Sequence, residues 1–217
     1  PAVPPEASER VRGWARSEGW DLQILDAGEF GDRNYLANPV NRCFFCKSNL
    51  YGSIAKFTDR KIFSGANMDD LGEYRPGLDA ARERNVRHPY IEIGMSKADV
   101  RMLSRALGLG ALATLPASPC LSSRVETSIA IEPDVLAAIN AAERLVQNTL
   151  RPKTVRCRVR HDRIVIELDD ESLARIDADM TDSITNAVAE LFLSFLSRRP
   201  IGFQPYRNGS AFVGARP

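Results

Sequence analysis

Cysteine is scarce, with 4 in 217 residues, too few to staple a chain of this length as a disulfide scaffold. Histidine is scarcer, at 2. His88 and His161 fall in separate predicted loops, so the two cannot build a His-rich metal site. No run approaches the roughly 18 apolar residues of a membrane span, and no signal-peptide pattern is seen. An excess of one charge is also lacking. The 29 Lys and Arg against 28 Asp and Glu leave +1, which removes any bulk electrostatic argument for nucleic acid or a membrane surface. There is no Walker A loop, no G-x-G-x-x-G and no serine in a G-x-S-x-G elbow. What remains is an ordinary globular composition, 44% hydrophobic and 26% charged. The chain is long enough to bury a core without staples. A reduced, cytoplasmic setting is expected, where clustered thiols signal metal binding or catalysis.

The thiols that are present are unevenly placed. Cys43 and Cys46 stand three residues apart in Asn38-Pro39-Val40-Asn41-Arg42-Cys43-Phe44-Phe45-Cys46-Lys47, and Cys120 lies in Ser118-Pro119-Cys120-Leu121-Ser122-Ser123-Arg124. Both segments are polar, basic and marked by proline, surroundings that favour the thiolate. A C-x-x-C pair can face one ion, or it can be two small buried hydrophobes beside Phe44 and Phe45. Structural zinc is disfavoured because a second pair is lacking. Cys157, between Arg156 and Arg158, reads as core packing, since strand alternation puts it opposite the arginines.

The element pattern begins with a helix from Pro4-Pro5 to Glu18, stopped by Gly19, then a strand over residues 20–25. A helix is expected over 44–56, a short strand at Lys61-Ile62-Phe63, and a helix from Gly77 to Arg84. Ser96-Lys97-Ala98-Asp99 forms a capping box opening a helix through Leu107. Residues 109–124 lack periodicity and read as an ordered functional loop. A helix from Pro133 to Leu150 carries Val135, Leu136, Ile139, Ala142 and Val146 on one face. Strands over 154–160 and 163–168 follow, then helices from Asp170 to Ile176 and from Asp182 to Leu196. The change of pattern places a domain boundary near 125–132, dividing 1–128 from 129–217.

Two polar groups stand out besides the thiols. Asn67, Asp69, Asp70, Glu73 and Arg75 crowd one loop, suited either to Mg²⁺ and nucleotide phosphate or to a solvated, capped turn. Arg156, Arg158 and Arg160 alternate, so they share one strand face. They repel unless an anion bridges them or Glu167, Asp169 or Asp170 pairs with them.

Taken in order, Asn38 to Lys47, Gly65-Ala66-Asn67-Met68-Asp69-Asp70, Glu73-Tyr74-Arg75-Pro76-Gly77, Ser96 to Arg101 and Pro119 to Arg124 resemble the LarE family. The Arg-x-Arg strand and Tyr206-Arg207-Asn208-Gly209-Ser210 fit it too. These are ATP-dependent sulfur transferases of the PP-loop (ATP pyrophosphatase) superfamily. The resemblance implies an α/β PP-loop parallel-sheet domain followed by a small α+β domain. It implies adenylation of a carboxylate on a pyridinium mononucleotide, followed by sulfur insertion for a nickel-pincer cofactor. It assigns Asn67, Asp69, Asp70 and Arg75 to ATP and Mg²⁺, and Arg156 and Arg158 to the substrate phosphate, with Arg160 as substitute. Cys120 is either a sacrificial sulfur donor or, with Cys43 and Cys46, a ligand of a [4Fe-4S] cluster; the three sulfurs are then expected to converge, with Cys157 elsewhere. A small nucleotide-like substrate and a homo-oligomer are expected, with neither membrane nor nucleic acid as partner. Rival readings are an amidating or tRNA-thiolating PP-loop enzyme and a non-catalytic metal-binding homologue. Three features depart from the family. The Ser-Gly-Gly-x-Asp-Ser loop is absent, Ser64 stands where Asp is frequent, and Glu126-Thr127 replaces aromatic-Gly. Pro1-Ala2-Val3-Pro4-Pro5 reads as a mid-fold start, so an upstream strand–Gly-rich loop–helix is expected.

Overall fold

The computed structural model describes residues 1–194 and 199–214. Its helices are α1 (Pro5–Glu18), α2 (Arg33–Leu36), α3 (Arg42–Phe57), α4 (Pro76–Glu83), α5 (Pro89–Glu92), α6 (Lys97–Ala106), α7 (Gly110–Ala113), α8 (Pro133–Leu150), α9 (Asp170–Ala174) and α10 (Ala178–Phe192). Short 3-10 turns lie at Met68–Gly72 and Leu121–Arg124. The strands are β1 (Val155–Val159), β2 (Ile164–Leu168) and β3 (Ile201–Pro205). The chain divides into two compact units. One comprises Pro1–Leu22 and the described residues from Pro119 onward; the other is Gln23–Ser118. The boundary read near 125–132 falls inside the first.

In the first unit, β2 is the centre of a three-stranded sheet. It pairs antiparallel with β1, with Cys157 opposite Ile166, and parallel with β3, with Ile166 opposite Phe203. All five β2 residues are buried. α8 starts at Pro133, whose fixed φ suits the first helical position. It buries Val135, Leu136, Ala138, Ile139, Ala142 and Val146 and packs along β1 and α10. Each fully buried aliphatic side chain there contributes about 1.5–3 kcal/mol. α1 joins the same unit: the Leu121 N–H donates to the Ala2 carbonyl at 2.7 Å, and Glu6 reaches Asn140 and Arg144 of α8.

In the second unit, α3 and α4 pack around Tyr51, Ala81 and Val86, with Leu50, Ile54 and Ile62 against them. α6 opens with the expected capping box: Ser96 Oγ accepts the Asp99 N–H at 3.2 Å, and the Asp99 carboxylate accepts the Ser96 N–H at 2.8 Å. The Ser96 hydroxyl, which also donates to that carboxylate, is the main reason its pKa is lowered.

The helices follow the sequence closely, as do β1 and β2, but the two strands expected before them do not form. Residues 20–25 form no strand; Trp20 and Ile24 are 46% and 54% exposed. At 61–63 there is one parallel bridge, Phe63 to Arg87. Among the described residues, 1–128 therefore holds no strand and no parallel sheet. A strand needs a laddered neighbour, and none flanks these segments. β3 was missed because it is short, ends at Pro205 and lacks alternation. α10 begins at Ala178, not Asp182, because Asp177 caps it by accepting the Met180 N–H at 2.8 Å. The expected end at Leu196 lies outside the described residues. Residues 109–124 carry α7 and a 3-10 turn within the loop.

Candidate functional site

Three segments far apart in sequence meet in the first unit. Cys120 precedes the 3-10 turn Leu121–Arg124, and its carbonyl accepts from the Ser123 hydroxyl at 2.7 Å and from Arg124 Nη1 at 3.0 Å. Arg124 also donates to the Pro119 carbonyl at 2.7 Å. Its other edge forms a bidentate pair with Glu143 of α8, at 2.9 and 3.1 Å, and Glu143 further accepts the Cys157 N–H at 3.0 Å. The Cys120 loop is thus tied through one buried guanidinium to a helix and a strand. The Cys120 side chain is partly exposed.

The arginine strand lies alongside. Arg158 is buried and pairs with buried Glu167 at 2.9 Å. Its remaining donors go to the Ser123 carbonyl at 3.0 Å and the Arg207 carbonyl at 3.3 Å. Arg160 donates to the Ser210 carbonyl at 2.6 Å and lies 3.7 Å from Glu126 and 3.5 Å from Glu167. The Ser210 hydroxyl donates to Glu167. Arg156 sits over the Tyr206 ring at 5.8 Å. Its pKa is lowered, first by burial and then by the facing charge of Arg124. The expected alternation holds, but it does not give one open basic face. Arg158 and Arg160 tie the Cys120 loop and the 206–210 tail to the sheet, while Arg156 is half-buried in a cationic surrounding. Cys157 is fully buried on the α8 side, and burial pushes its thiol well up, as its core assignment requires.

The second unit holds the other expected residues. Cys43 and Cys46 lie on the first turns of α3, one turn apart on one face, both partly exposed and in no disulfide. Buried Asn38, with φ 53, turns the chain into Pro39, and Arg42 donates to its side chain. Asn tolerates that left-handed conformation better than most residues. Asn67 and Asp70 form a second capping box around Met68–Gly72. Arg75 pairs with Asp70 at 3.1 Å and Glu73 at 2.8 Å. The capped-turn reading is therefore realised locally, leaving the exposed carboxylate of Asp69 without an ion pair among the described residues. No group of three or more His, Cys, Asp and Glu suited to a metal forms within either unit among the described residues. The Cys43–Cys46 pair belongs to one unit and Cys120 to the other.

No protein-family model matches the chain. Over 185 residues it is 35% identical to the uncharacterized protein slr1717 of Synechocystis sp., covering 83% of this chain and 68% of that protein. It is 28% identical over 167 residues to the pyridinium-3,5-bisthiocarboxylic acid mononucleotide synthase of Lactiplantibacillus plantarum, covering 75% of this chain and 60% of the synthase. The chain belongs to the same family as slr1717. A further relative, the uncharacterized protein MJ0830 of Methanocaldococcus jannaschii, is 28% identical over 140 residues, covering 63% of this chain and 54% of the relative. The chain thus spans about two thirds or less of the relatives it matches.

The sequence reading passed over Glu143, one of the two carboxylates that organise the first unit, while Glu167 is the partner expected for the arginine strand and pairs with Arg158. Nothing in local periodicity marks Glu143, because its partner Arg124 is 19 residues away. Ser64, read in the sequence only as a departure from a frequent Asp, has its hydroxyl 2.6 Å from His88 Nδ1. The fold brings the two together beside the Phe63–Arg87 bridge. No helix among the described residues is long and apolar enough to cross a membrane.

Proposed function

We propose that this chain is part of an ATP-dependent enzyme that transfers sulfur to an adenylated carboxylate of a pyridinium mononucleotide, in the manner of nickel-pincer cofactor synthesis. One observation carries the reading: the Cys120 loop, the arginine strand and the 206–210 tail, scattered in sequence, are knitted into one polar hydrogen-bond network of the first unit. The likeness to a named bisthiocarboxylic acid mononucleotide synthase supports the substrate class. Arg156 is the phosphate contact. A half-buried guanidinium beside Arg124 and Glu143 can offer a phosphate charge-assisted hydrogen bonds. Arg158 and Arg160 hold the walls of that site.

Cys120 is the sulfur-handling residue. Cys43, Cys46 and Cys120 are partly exposed thiols in no disulfide, the donor set a [4Fe-4S] cluster takes; Cys157, buried with its thiol pushed up, does not fit. Cys43, Cys46 and Cys120 would hold the cluster, which supplies a sulfide when bound. Asn67, Asp69, Asp70 and Arg75 face the nucleotide and Mg²⁺, with Asp69 the carboxylate left for the ion.

Anaerobic reconstitution tests the cysteine assignment. About four irons per chain are expected, lost in Cys43→Ala, Cys46→Ala and Cys120→Ala but kept in Cys157→Ala. Sulfur transfer without iron, abolished only by Cys120→Ala and accompanied by loss of one sulfur from the protein mass, assigns the sacrificial route instead. Arg156→Ala should raise KM for the phosphorylated acceptor far more than for ATP; equal effects on both remove Arg156 from the phosphate site.

A further inference from the structure

Tyr206 opens the tail that the polar network holds, and the chain is fixed on both sides of it. Its N–H donates to the Leu168 carbonyl at 2.7 Å, and the carbonyl of the next residue, Arg207, accepts from Arg158 Nη2 at 3.3 Å. β3 ends one residue earlier, at Pro205 opposite Leu168 of β2, so the sheet sets where the ring stands. The side chain is not part of the core. The residue is half-buried, and its hydroxyl makes no hydrogen bond among the described residues. A tyrosine buried for packing usually finds its hydroxyl a partner; here none is supplied.

What the ring does hold is a cation. The Arg156 guanidinium lies over it, with Cζ 5.8 Å from the centroid, the arrangement in which the negative face of an aromatic ring attracts a positive group. Arg156 also lies beside Arg124 and Glu143, and Arg124 clamps the Cys120 carbonyl at 3.0 Å. The cation-holding ring, the phosphate contact and the sulfur-handling loop are therefore neighbours within one unit. A pyridinium mononucleotide spaces its own groups in a matching way: a phosphate at one end, and at the other a flat cationic ring that bears the carboxylate to be converted.

We infer that Tyr206 determines specificity by selecting the charged pyridinium ring of the acceptor. The inference rests on the substrate class proposed above. When the mononucleotide binds, its phosphate draws the Arg156 guanidinium through charge-assisted hydrogen bonds, and the pyridinium takes the guanidinium's place on the Tyr206 face. One flat cation replaces another, so this side of the site needs no rebuilding. The charge balance explains why an aromatic stands here. Arg124 and Arg156 alone repel a cationic ring. A carboxylate would attract it but would also repel the substrate's phosphate. The face of a neutral aromatic ring attracts the cation and adds no net charge.

Calorimetric titration of the full chain tests this with two probes, nicotinamide mononucleotide, whose ring is a pyridinium cation, and its reduced form, whose ring is uncharged. The reduced form carries one more net negative charge, so basic surroundings alone favour it. The protein should instead bind the oxidised form about fivefold more tightly, the scale of a cation–π contact at a partly exposed site. Tyr206→Phe should keep that preference, because the ring remains. Tyr206→Leu should abolish or reverse it while leaving the affinity for ribose 5-phosphate unchanged, a split that a purely structural tyrosine does not give. Arg156→Ala should weaken both forms by a similar factor. Equal binding of the two forms by the unaltered protein, or a preference that survives Tyr206→Leu, overturns the inference and leaves the phosphate assignment standing. Loss of ribose 5-phosphate binding in Tyr206→Leu assigns the residue a structural role and overturns it too. If neither mononucleotide nor ribose 5-phosphate binds the unaltered protein, the substrate reading beneath the inference falls with it.

Discussion

Glu143 serves three donors from two directions, and its removal has a calculable effect. Glu143→Ala leaves the Arg124 guanidinium, only 4% exposed at its side chain, without its counter-charge. Breaking one side of a buried pair costs about 3–5 kcal/mol, which urea denaturation should register. Glu143→Gln keeps the shape and one acceptor and should cost clearly less. Either variant should speed alkylation of Cys120, because Arg124 also clamps the carbonyls of Pro119 and Cys120; unchanged labelling would show that the loop is held by other means. Asp169 gives a pH test in the same unit. Burial pushes its pKa up, but the N–H groups of Thr154 and Ser172, each at 3.0 Å, outweigh this and bring it down to about 2. A carboxylate whose folded pKa lies below its unfolded value of roughly 3.9 adds stability above that value and loses it as pH falls through about 2. The group is only partly buried, so the contribution is about 1 kcal/mol after screening. Asp169→Asn should therefore be less stable than the parent at pH 7, and the gap should close between about pH 4 and pH 2; a gap constant over that range refutes the assignment.

At the scale of elements, Gly77 inverts an ordinary rule. Glycine near a helix start normally weakens it relative to alanine. Here α4 lies so close to α3 that a Cβ on Gly77 would stand 2.9 Å from Lys47 Cγ and 3.6 Å from the Cys43 carbonyl. Gly77→Ala should destabilise the second unit by about 1–3 kcal/mol, the usual cost of overpacking, and should disturb the thiol-bearing turn of α3. A melting temperature equal to or above the parent's would mean that Lys47 moves aside freely. The same contrast explains what was legible beforehand. The extents of α1, α3, α6 and α8 could be read because Pro5, Pro133, Gly19 and the Ser96–Asp99 box are local signals. The turns around Cys120 and Asn67 could be picked out as chemical because they concentrate unusual residues. β3 and the Arg124–Glu143 pairing could not, since both depend on which distant segments the fold brings together. Residues 20–25 looked like a strand because alternation is local, while a ladder partner is not.

Over the whole molecule, stability should be uneven. β2 is paired along both edges and wholly buried, whereas the second unit packs around the small cluster of Tyr51, Ala81 and Val86. Hydrogen exchange should be slowest at residues 164–168 and faster across α3; equal protection in both would contradict this. The division of the chain also bears on its birth. Gln23–Ser118 is one unbroken stretch, while the other unit joins residues before it to residues after it. During synthesis the unbroken stretch can close on itself first. The sheet must wait, because the hydrogen-bonding edge that β3 covers stays bare from the emergence of Leu168 until Ile201 follows. At ribosomal speeds that interval is on the order of seconds. For that time the nascent chain displays Ile164, Val165 and Ile166 along an open strand edge, the kind of surface on which neighbouring chains aggregate and which holdase chaperones would be expected to shield.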